Sequence, residues 1–330
     1  HLYRAGSGSA IMPPPVSTGT RHGLSVVPIN RSNRPWQATP SPELDWSDGA
    51  APRAADFDDI YYSRDNGLAE SRHVFVAGSG LPERWRSQPA AVSTVCEAGF
   101  GTGLNFLATW EAWRQAGAGR SDAQPGHLHY IAVEKFPLST DQLARALAPW
   151  RELGAHCDAL QAVYPGRIPG QHRLLLDAGR VILDLWWEDI EAALADLASQ
   201  ERPWVDAWYL DGFAPSRNPD MWSAAVFQSM AALSRPGARV TTFTAAGAVR
   251  RGLAAAGFDV TKVVGYGSKR DSLRGRLEAR PARQINSRAP GITPWDLPAS
   301  PRRRPAHVLV IGAGLAGCHQ AAALARRGLQ

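Results

Sequence analysis

The residues best suited to do chemistry begin in a glycine-rich segment, 97–106, which reads EAGFGTGLNF. Strand-forming residues at 91–96 lead into this segment, and a helical pattern at 104–115 follows it. A strand, a tight glycine turn and a helix bring bare backbone N–H groups and a helix N-terminus close to a nucleotide-like ligand. The segment therefore predicts a ligand-binding loop. The alternative is a turn that only lets the strand and the helix pack closely.

The spacing of the glycines indicates which ligand the loop would hold. It is G-x-G-x-G rather than the G-x-G-x-x-G of dinucleotide sites, and Glu97 stands at the end of the strand. An acidic group suits a cationic or hydroxyl-rich ligand better than a pyrophosphate. This favours S-adenosylmethionine (SAM), whose amino and sulfonium groups are cationic. We expect cofactor contacts from the loop and from neighbouring strand ends: Glu97, Gly99, Phe100, Gly101, Thr102, Gly103, Asn105, Glu134, Lys135, Asp184 and Asp189.

Acidic residues lie at or just beyond the ends of four predicted strands: Glu97, Glu134, Asp184 with Asp189, and Asp211. Because the carboxyl ends of parallel strands converge on one crevice, we expect these acids to meet there. Glu134 is placed to accept hydrogen bonds from ribose hydroxyls, and Asp189 from an adenine amino group. Each acid taken alone is more simply explained as a helix cap or a surface carboxylate, so the prediction depends on their convergence.

The segment 211–215, which reads DGFAP, closes the fourth of these strands. It resembles the loop by which amino-methylating enzymes hold their acceptor, and the alternative is a strand-terminating turn. An ammonium group has no lone pair and cannot attack a sulfonium carbon, so the acceptor must be a free amine. We therefore expect Asp211 to be catalytic: it would position the amine and take up its proton as the N–C bond forms.

Aromatic residues flank these motifs and could stack on a flipped-out base, although core packing is the better explanation for most of them. They are Phe57, Tyr61, Tyr62, Trp186, Trp187, Phe213 and Trp222. The histidines and the three cysteines lack the spacing of a metal site, so no metal is expected.

Strands and helices alternate from residue 128 onwards, and these elements must position the candidate residues. The pattern predicts strands at 129–133, 173–176, 181–185, 205–210, 239–244 and 258–264, and helices at 140–150, 190–200, 219–234 and 246–256. The two apolar runs at 173–176 and 181–185 read as a hairpin. Repeated β-then-α units predict a doubly wound, Rossmann-like α/β fold with a parallel sheet and helices on both faces.

The ends of the chain differ from this core. Residues 1–40 are rich in Pro, Ser, Gly and Arg and are predicted to be disordered. The core domain is predicted to span 41–280. Residues 281–305 are predicted to be a linker between this domain and residues 306–330. A strand at 307–311, the glycines Gly312, Gly314 and Gly317, and a helix at 318–327 form a full G-x-G-x-x-G motif. We expect it to be the opening of a second, dinucleotide-binding domain that is cut off. A first residue other than Met also suggests a fragment.

Composition and charge narrow the function classes. The chain has 330 residues, 44% of them hydrophobic, and no apolar run reaches the roughly 18 residues of a membrane span, so no membrane partner is expected. Three cysteines without a C-x-x-C pair fit a reducing compartment. Residues 250–288 carry ten Lys or Arg against three Asp or Glu, within a chain of net charge +6. This basic segment predicts nucleic-acid binding, with a solvated surface as the alternative.

Longer motifs resemble a known family. They are FDDIYY at 57–62, DNGL at 65–68, the loop at 97–106, VEKFPL at 133–138, HRLLL at 172–176, LDGFAP at 210–215, NPDMW at 218–222, and the segments 242–244 and 249–253. Over roughly residues 40–278 the chain is similar to the methyltransferase half of the bifunctional tRNA wobble-uridine enzymes, the MnmC family.

The resemblance implies transfer of a methyl group from SAM to the amine of 5-aminomethyl-2-thiouridine at the tRNA wobble position, in the cytoplasm. The other half of these enzymes is an FAD-dependent oxidoreductase, to which Gly312, Gly314 and Gly317 would belong. The motifs imply substrate contacts from Asp58, Asp59, Tyr61, Asn66, Phe213 and Pro215, and the basic segment adds Lys269 and Arg270 as expected contacts to the tRNA. Glu188 departs from the family, which often has Gly before the acid at 189.

Two other functions stay open at this point. A nicotinamide-dependent oxidoreductase could use the same fold, but it would need a proton donor such as Y-x-x-x-K, which does not occur in the chain. A tRNA-binding module without chemistry would also account for the basic segment.

Overall fold

The computed structural model describes residues 38–47, 51–63, 66–88, 90, 92–117, 126–198, 203–267, 269–278, 308–312 and 314–326. Two predictions fall outside the described residues. They are the disorder at 1–40, except for residues 38–40, and the linker at 281–305.

The described chain contains short strands, then an alternation of strands and helices. The strands are β1 (Leu44–Asp45), β2 (Arg53–Ala54), β3 (Asp59–Ile60), β4 (Val92–Ala98), β5 (His127–Glu134), β6 (Gly170–Leu176), β7 (Val181–Trp187), β8 (Val205–Leu210), β9 (Ser234–Thr242), β10 (Phe258–Val264) and β11 (Asp271–Leu277). The α-helices are α1 (Gly67–Glu70), α2 (Leu81–Ser87), α3 (Leu104–Gly117), α4 (Thr140–Leu147), α5 (Gly154–Gln161), α6 (Ile190–Ala198), α7 (Ala224–Leu233), α8 (Gly247–Ala255) and α9 (Leu315–Arg326). A π-helical segment, Ser71–Ala77, continues α1, and short 3-10 turns lie at Arg151–Leu153, Asp177–Gly179 and Pro219–Trp222.

Eight strands form one mixed sheet in the order β10-β11-β9-β8-β4-β5-β7-β6. The five central strands, from β9 to β7, run parallel. Strands β6, β11 and β10 pair antiparallel at the two edges. The carboxyl ends of β4, β5 and β8 lie side by side, because β4 pairs with both of the others.

Helices cover both faces of this sheet. Along β4 and β5 the side chains alternate: Val95 and Tyr130 join a core that contains residues of α1 to α5, whereas Cys96 and Ile131 join a second core with residues of α6 to α8. A strand whose two faces are both buried is typical of a parallel sheet between helical layers. The doubly wound α/β fold predicted from the sequence is therefore confirmed.

Three details correct the predicted elements. The sheet is not wholly parallel: the hairpin predicted for β6 and β7 is confirmed, and β10 and β11 form another, of which β11 was not predicted. The helix predicted at 219–234 is a 3-10 turn followed by α7, because Ser223 is extended and its side chain caps the Val226 N–H. The described part of the predicted strand at 307–311 has no sheet pairing.

A small antiparallel sheet, β1-β2-β3, precedes the large one and was not predicted. Its strands have only two residues each, so their alternation is too short to leave a pattern in the sequence. Within the described residues, no helix combines the length and the apolar character needed to cross a membrane.

Candidate active site

The glycine loop joins β4 to α3 and takes conformations that favour glycine. Gly99, Gly101 and Gly103 have φ angles of 89°, 53° and 75°. A Cβ atom on Gly99 would lie 1.8 Å from the carbonyl oxygen of Asp211. The glycine at 99 therefore allows the ends of β4 and β8 to meet, which brings the cofactor loop next to the candidate catalytic residue.

The loop is held by Glu134, the last residue of β5. The carboxylate of Glu134 accepts hydrogen bonds from the Gly101 N–H at 2.9 Å and from the Phe136 N–H at 2.8 Å. Burial raises the pKa of Glu134, although these backbone donors oppose the rise. Because the Gly101 N–H already donates a hydrogen bond to a carboxylate, it is not available to bind a pyrophosphate.

Asn105, in the first turn of α3, joins two acids. Its side-chain Nδ2 donates to Glu97 Oε1 at 2.8 Å and to Asp211 Oδ2 at 2.6 Å. Tyr130 donates its hydroxyl to the other Glu97 oxygen at 2.9 Å. Burial, followed by the charge of Asp211, raises the pKa of Glu97 well above its ordinary value. Glu97 is thus buried beneath the cleft, where it holds the Asn105 amide by a hydrogen bond. Asn105 in turn holds the carboxylate of Asp211.

The pKa of Asp211 lies near neutrality. Burial, followed by the charges of Glu70 and Asp59, raises its pKa to about 7, although the Asn105 amide and the Lys269 ammonium oppose this rise. A carboxyl group with a pKa near 7 exchanges its proton readily at neutral pH, which is the property required of a general base.

On the other side of the loop, Lys135 and Asp189 form an ion pair with Nζ and Oδ2 3.0 Å apart. Burial opposes ionisation of Asp189, but the hydrogen bond from Lys135 and backbone donors lower its pKa overall. Both residues line the cleft together with Glu188. Lys135 follows Glu134 directly in the chain, so this ion pair brings Asp189 near the end of β5, and the contacts of Glu134 with ribose and of Asp189 with adenine stay predictions.

Residues 51–63, which include β2 and β3, form a lid over the cleft. The Asp59 carboxylate accepts a hydrogen bond from the Ala214 N–H at 3.0 Å. The Phe57 and Phe213 rings stack with centroids 4.4 Å apart, and the Tyr61 ring meets Phe213 edge-on at 5.4 Å. The lid is therefore tied to the loop at 211–215 by a hydrogen bond and by aromatic contacts.

The lid and the strand ends enclose a cavity of about 540 Å³, within the usual range for small-molecule sites. Seven carboxylic acids and two lysines line it: Asp59, Glu70, Glu134, Glu188, Asp189, Asp211 and Asp220, with Lys135 and Lys269. An excess of acids suits a cationic, hydroxyl-rich ligand and disfavours a pyrophosphate. The structure brings these predicted residues to the cavity: Gly99, Phe100, Gly101, Thr102, Asn105, Glu134, Lys135, Asp189, Asp211, Asp59, Tyr61, Phe213 and Lys269.

The remaining predicted residues do not line the cavity. Asp184 points instead into a buried cluster. Its carboxylate accepts two hydrogen bonds from the Arg173 guanidinium, and its Oδ2 lies 2.8 Å from Nε2 of His129. The expected meeting of acids at one rim therefore does not include Asp184, because it lies within β7 rather than at its end. Burial disfavours the ionised form of Asp184, but the hydrogen bonds from Arg173 and His129 lower the pKa of Asp184 overall.

The other outlying residues have local contacts. Gly103 donates its N–H to the Phe100 carbonyl, and Asn66 caps α1 by accepting from the Ala69 N–H. Asp58 pairs with Arg53 and Arg217 on the outside of the lid.

Pro215 is half-buried in the loop after Phe213, and Arg270 is exposed beside Lys269. Gly312, Gly314 and Gly317 precede or begin α9, and a Cβ on Gly317 would lie 1.9 Å from the Gly312 carbonyl oxygen. Such a close backbone approach is typical of a glycine turn that enters a helix.

Several cavity residues were missed by the sequence analysis, notably Glu70, Phe136, Asp220, Met221 and Phe243. Phe136 and Met221 stand inside motifs that were recognised, so proximity to those motifs was the available signal. Glu70 lies in a helix that was not predicted, and nothing in its local sequence marks it. Among the residues that the structure describes, no group of three or more His, Cys, Asp or Glu could hold a metal ion.

Comparison with known proteins agrees with this geometry. Residues 151–278 match the model of a family of S-adenosyl-L-methionine-dependent methyltransferases. The chain is 45% identical over 286 residues, 86% of its length, to the tRNA 5-methylaminomethyl-2-thiouridine biosynthesis bifunctional protein MnmC of Aeromonas salmonicida (strain A449). It is 46% identical over 287 residues, 87% of its length, to the protein of that name from Ectopseudomonas mendocina (strain ymp). The chain spans 41% of the length of each of these relatives.

Among solved structures, MNMC2 from Aquifex aeolicus is similar with a TM-score of 0.57 and 19% identity, over 76% of this chain and 73% of that one. At this identity the likeness shows the fold. The chain therefore has the fold of the SAM-dependent methyltransferases, and its resemblance to the methyltransferase half of the MnmC family is confirmed.

Proposed function

We propose that this chain transfers a methyl group from SAM to the amine of 5-aminomethyl-2-thiouridine at the wobble position of tRNA, giving 5-methylaminomethyl-2-thiouridine. The observation that carries the proposal is the acid-lined cavity in which the glycine loop, Glu134 and Asp211 converge. The names and the similarity of the relatives support the choice of acceptor.

The residues of the cavity fit SAM. Gly101 has a positive φ, and a Cβ atom there would come within 3.1 Å of the Tyr61 ring, so the loop leaves only the space of a glycine between itself and the lid. Glu134 retains lone pairs for ribose hydroxyls, and Asp189 is placed to accept from an adenine amino group. Asp211 and Asn105 lie on the opposite side of the loop, where the reacting end of the ligand would stand.

When bound, SAM supplies an electrophilic methyl carbon: the acceptor nitrogen attacks it, the carbon–sulfur bond breaks, and S-adenosylhomocysteine leaves. The acceptor amine must first present its lone pair, and the methylated nitrogen must lose a proton to become neutral. Asp211 takes that proton, since its pKa of about 7 lets it change protonation state near neutral pH. Asn105 holds the receiving Oδ2 in place by its hydrogen bond of 2.6 Å.

The acceptor side combines acids with aromatic rings. Phe57, Tyr61 and Phe213 form a cluster at the inner side of the lid, which can pack against the face of a nucleobase. This arrangement supports an acceptor that carries an amine on a planar ring.

A nicotinamide-dependent oxidoreductase is less well supported. Its cofactor carries a pyrophosphate, and the described cavity has seven acids, two lysines and a glycine loop whose Gly101 N–H is bonded to a carboxylate. Anions bind where backbone N–H groups and positive charge are free.

The proposal extends to the parent protein and its setting. The relatives are named as bifunctional, and the motif at Gly312, Gly314 and Gly317 supports an FAD-dependent oxidoreductase as the second activity. We further propose that tRNA is the partner, that the enzyme acts in the cytoplasm, and that the methyl transfer needs neither a metal nor a membrane.

Two measurements test the proposal. Titration calorimetry should detect SAM binding to the wild-type chain and its loss in Gly101→Val, because the larger side chain collides with Tyr61. Mass spectrometry of wobble nucleosides should detect the methylated product when hypomodified tRNA is incubated with SAM and this chain. Absence of SAM binding, or equal binding by the variant, would contradict the proposal. So would intact SAM binding without any methylated nucleoside.

A further inference from the structure

An internal lysine occupies the acceptor side of the cavity. Lys269 lies in the turn between β10 and β11, and its Nζ donates to Oε1 of Glu70 at 2.7 Å. The same ammonium stands 4.5 Å from the centre of the Phe243 ring. Lys269, Glu70 and Phe243 all line the cavity. A carboxylate and an aromatic face around one ammonium form a binding site for an organic cation.

The two partners of this ion pair differ in mobility. Glu70 is the last residue of α1 and is only 7% exposed, so its carboxylate is fixed and needs a cation beside it. The Lys269 side chain is 43% exposed and extends from a turn, so it can leave without rearrangement of the core. The site is therefore built around Glu70, while the cation that fills it is exchangeable.

The ion pair lies close to the reacting group. Glu70, Lys269 and Asp211 line the same cavity. The negative charge of Glu70 raises the pKa of Asp211 and the positive charge of Lys269 lowers it. A cation that replaced Lys269 would thus share the cavity with Asp211. In the proposed reaction, the group that must arrive beside Asp211 is the acceptor amine, which is protonated in neutral solution.

We propose that Glu70 and Phe243 form the ammonium subsite of the acceptor, and that Lys269 fills this subsite until the acceptor amine displaces it. The inference rests on the proposed function. When the acceptor binds, one cation replaces another, so the buried carboxylate of Glu70 keeps a charged partner through the exchange. The released Lys269 becomes available for a phosphate of the tRNA, which accounts for a lysine that lines the cavity and also belongs to the basic segment.

A nucleoside without phosphates separates the ammonium subsite from tRNA contacts. The probes are 5-aminomethyl-2-thiouridine and its 5-hydroxymethyl counterpart, titrated by calorimetry into the full chain saturated with S-adenosylhomocysteine. The wild type should prefer the amine. Lys269→Met should bind the amine several-fold more tightly, because its internal competitor is gone. Glu70→Gln should bind it about ten- to a hundredfold more weakly and lose the preference over the hydroxyl.

Lys262→Met is the matched control, since it removes a lysine charge from the same hairpin without touching the cavity. It should leave the affinity for both nucleosides unchanged. Lys269→Met removes the partner of the buried Glu70, so binding of S-adenosylhomocysteine is used to report that this variant and the others are folded.

Unchanged or weaker amine binding in Lys269→Met would overturn the inference, as would an intact amine preference in Glu70→Gln. If the wild type methylates tRNA in these cases, the inference fails alone. If the wild type binds neither S-adenosylhomocysteine nor the amine nucleoside, the proposed function fails with it.

Discussion

Asp211 carries the chemistry at the scale of single residues. We expect Asp211→Asn to lower the rate of methyl transfer about a hundredfold or more, because the variant has no carboxylate to take the proton. The affinity for SAM should change little, since the glycine loop and Glu134 remain. Single-turnover transfer to hypomodified tRNA and calorimetry with SAM measure the two effects. Asp158→Asn, at an exposed site on α5, is the control.

The pH dependence of the wild-type rate follows from the same group. Asp211 accepts a proton only when it is ionised, and the ionised fraction grows as pH rises through its pKa of about 7. The rate should therefore increase between pH 6 and pH 8, about tenfold per unit on the acidic side. Asp211→Asn should lack this step. A wild-type rate that falls across this range would rule out the assigned direction of proton transfer.

Stability should respond to pH in the opposite sense. The folded pKa of Asp211, about 7, lies above the ordinary value of 3.8, so between these values the folded state binds more protons than the unfolded state. Its contribution to stability therefore falls as pH rises from about 4 to about 7. Asp211→Asn keeps an oxygen for Asn105 and has no charge to bury. Thermal unfolding should show the variant more stable than the wild type above pH 7, with the difference vanishing near pH 4.

At the scale of elements, the approach of β4 to β8 depends on one glycine. Gly99→Ala should destabilise the fold by more than about 2 kcal/mol and abolish SAM binding, because its Cβ would lie 1.8 Å from the Asp211 carbonyl oxygen at a φ of 89°. Gly117→Ala, at the end of α3 with nothing within 4 Å, is the matched control and should be neutral within about 0.5 kcal/mol. Chemical denaturation measures both. Equal stabilities would contradict the close approach.

The elements also show which parts of the site a sequence can predict. The β4–loop–α3 unit and the Asp211 turn were predicted because each is local: strand, glycine spacing and helix follow one another within a few residues. The strand that holds Asp184 was predicted to end at 185 but ends at Trp187, since an apolar run does not reveal where a strand ends. Glu70 could not be found, because its position depends on packing between distant segments rather than on any local pattern. Phe243 stands inside the recognised segment 242–244, but the pattern did not show that its ring would reach the cavity.

At the scale of the whole molecule, charge is divided between an acidic cavity and a basic segment at 250–288. We expect tRNA affinity to fall about tenfold or more between 50 and 200 mM salt, because contacts to phosphates release counterions. Arg270→Glu should weaken binding and flatten the salt dependence. Arg151→Glu, an exposed arginine outside the basic segment, should have a smaller effect. Fluorescence anisotropy with labelled tRNA measures these affinities, and an affinity independent of salt would exclude phosphate contacts.

The bond between Asp59 and Ala214 joins positions 155 residues apart. During synthesis on the ribosome, the lid emerges first and has nothing to close against until β8 and the turn after it have left the exit tunnel. The Glu70–Lys269 pair, 199 residues apart, forms later still. The cavity therefore cannot be completed until nearly the whole domain has been synthesised.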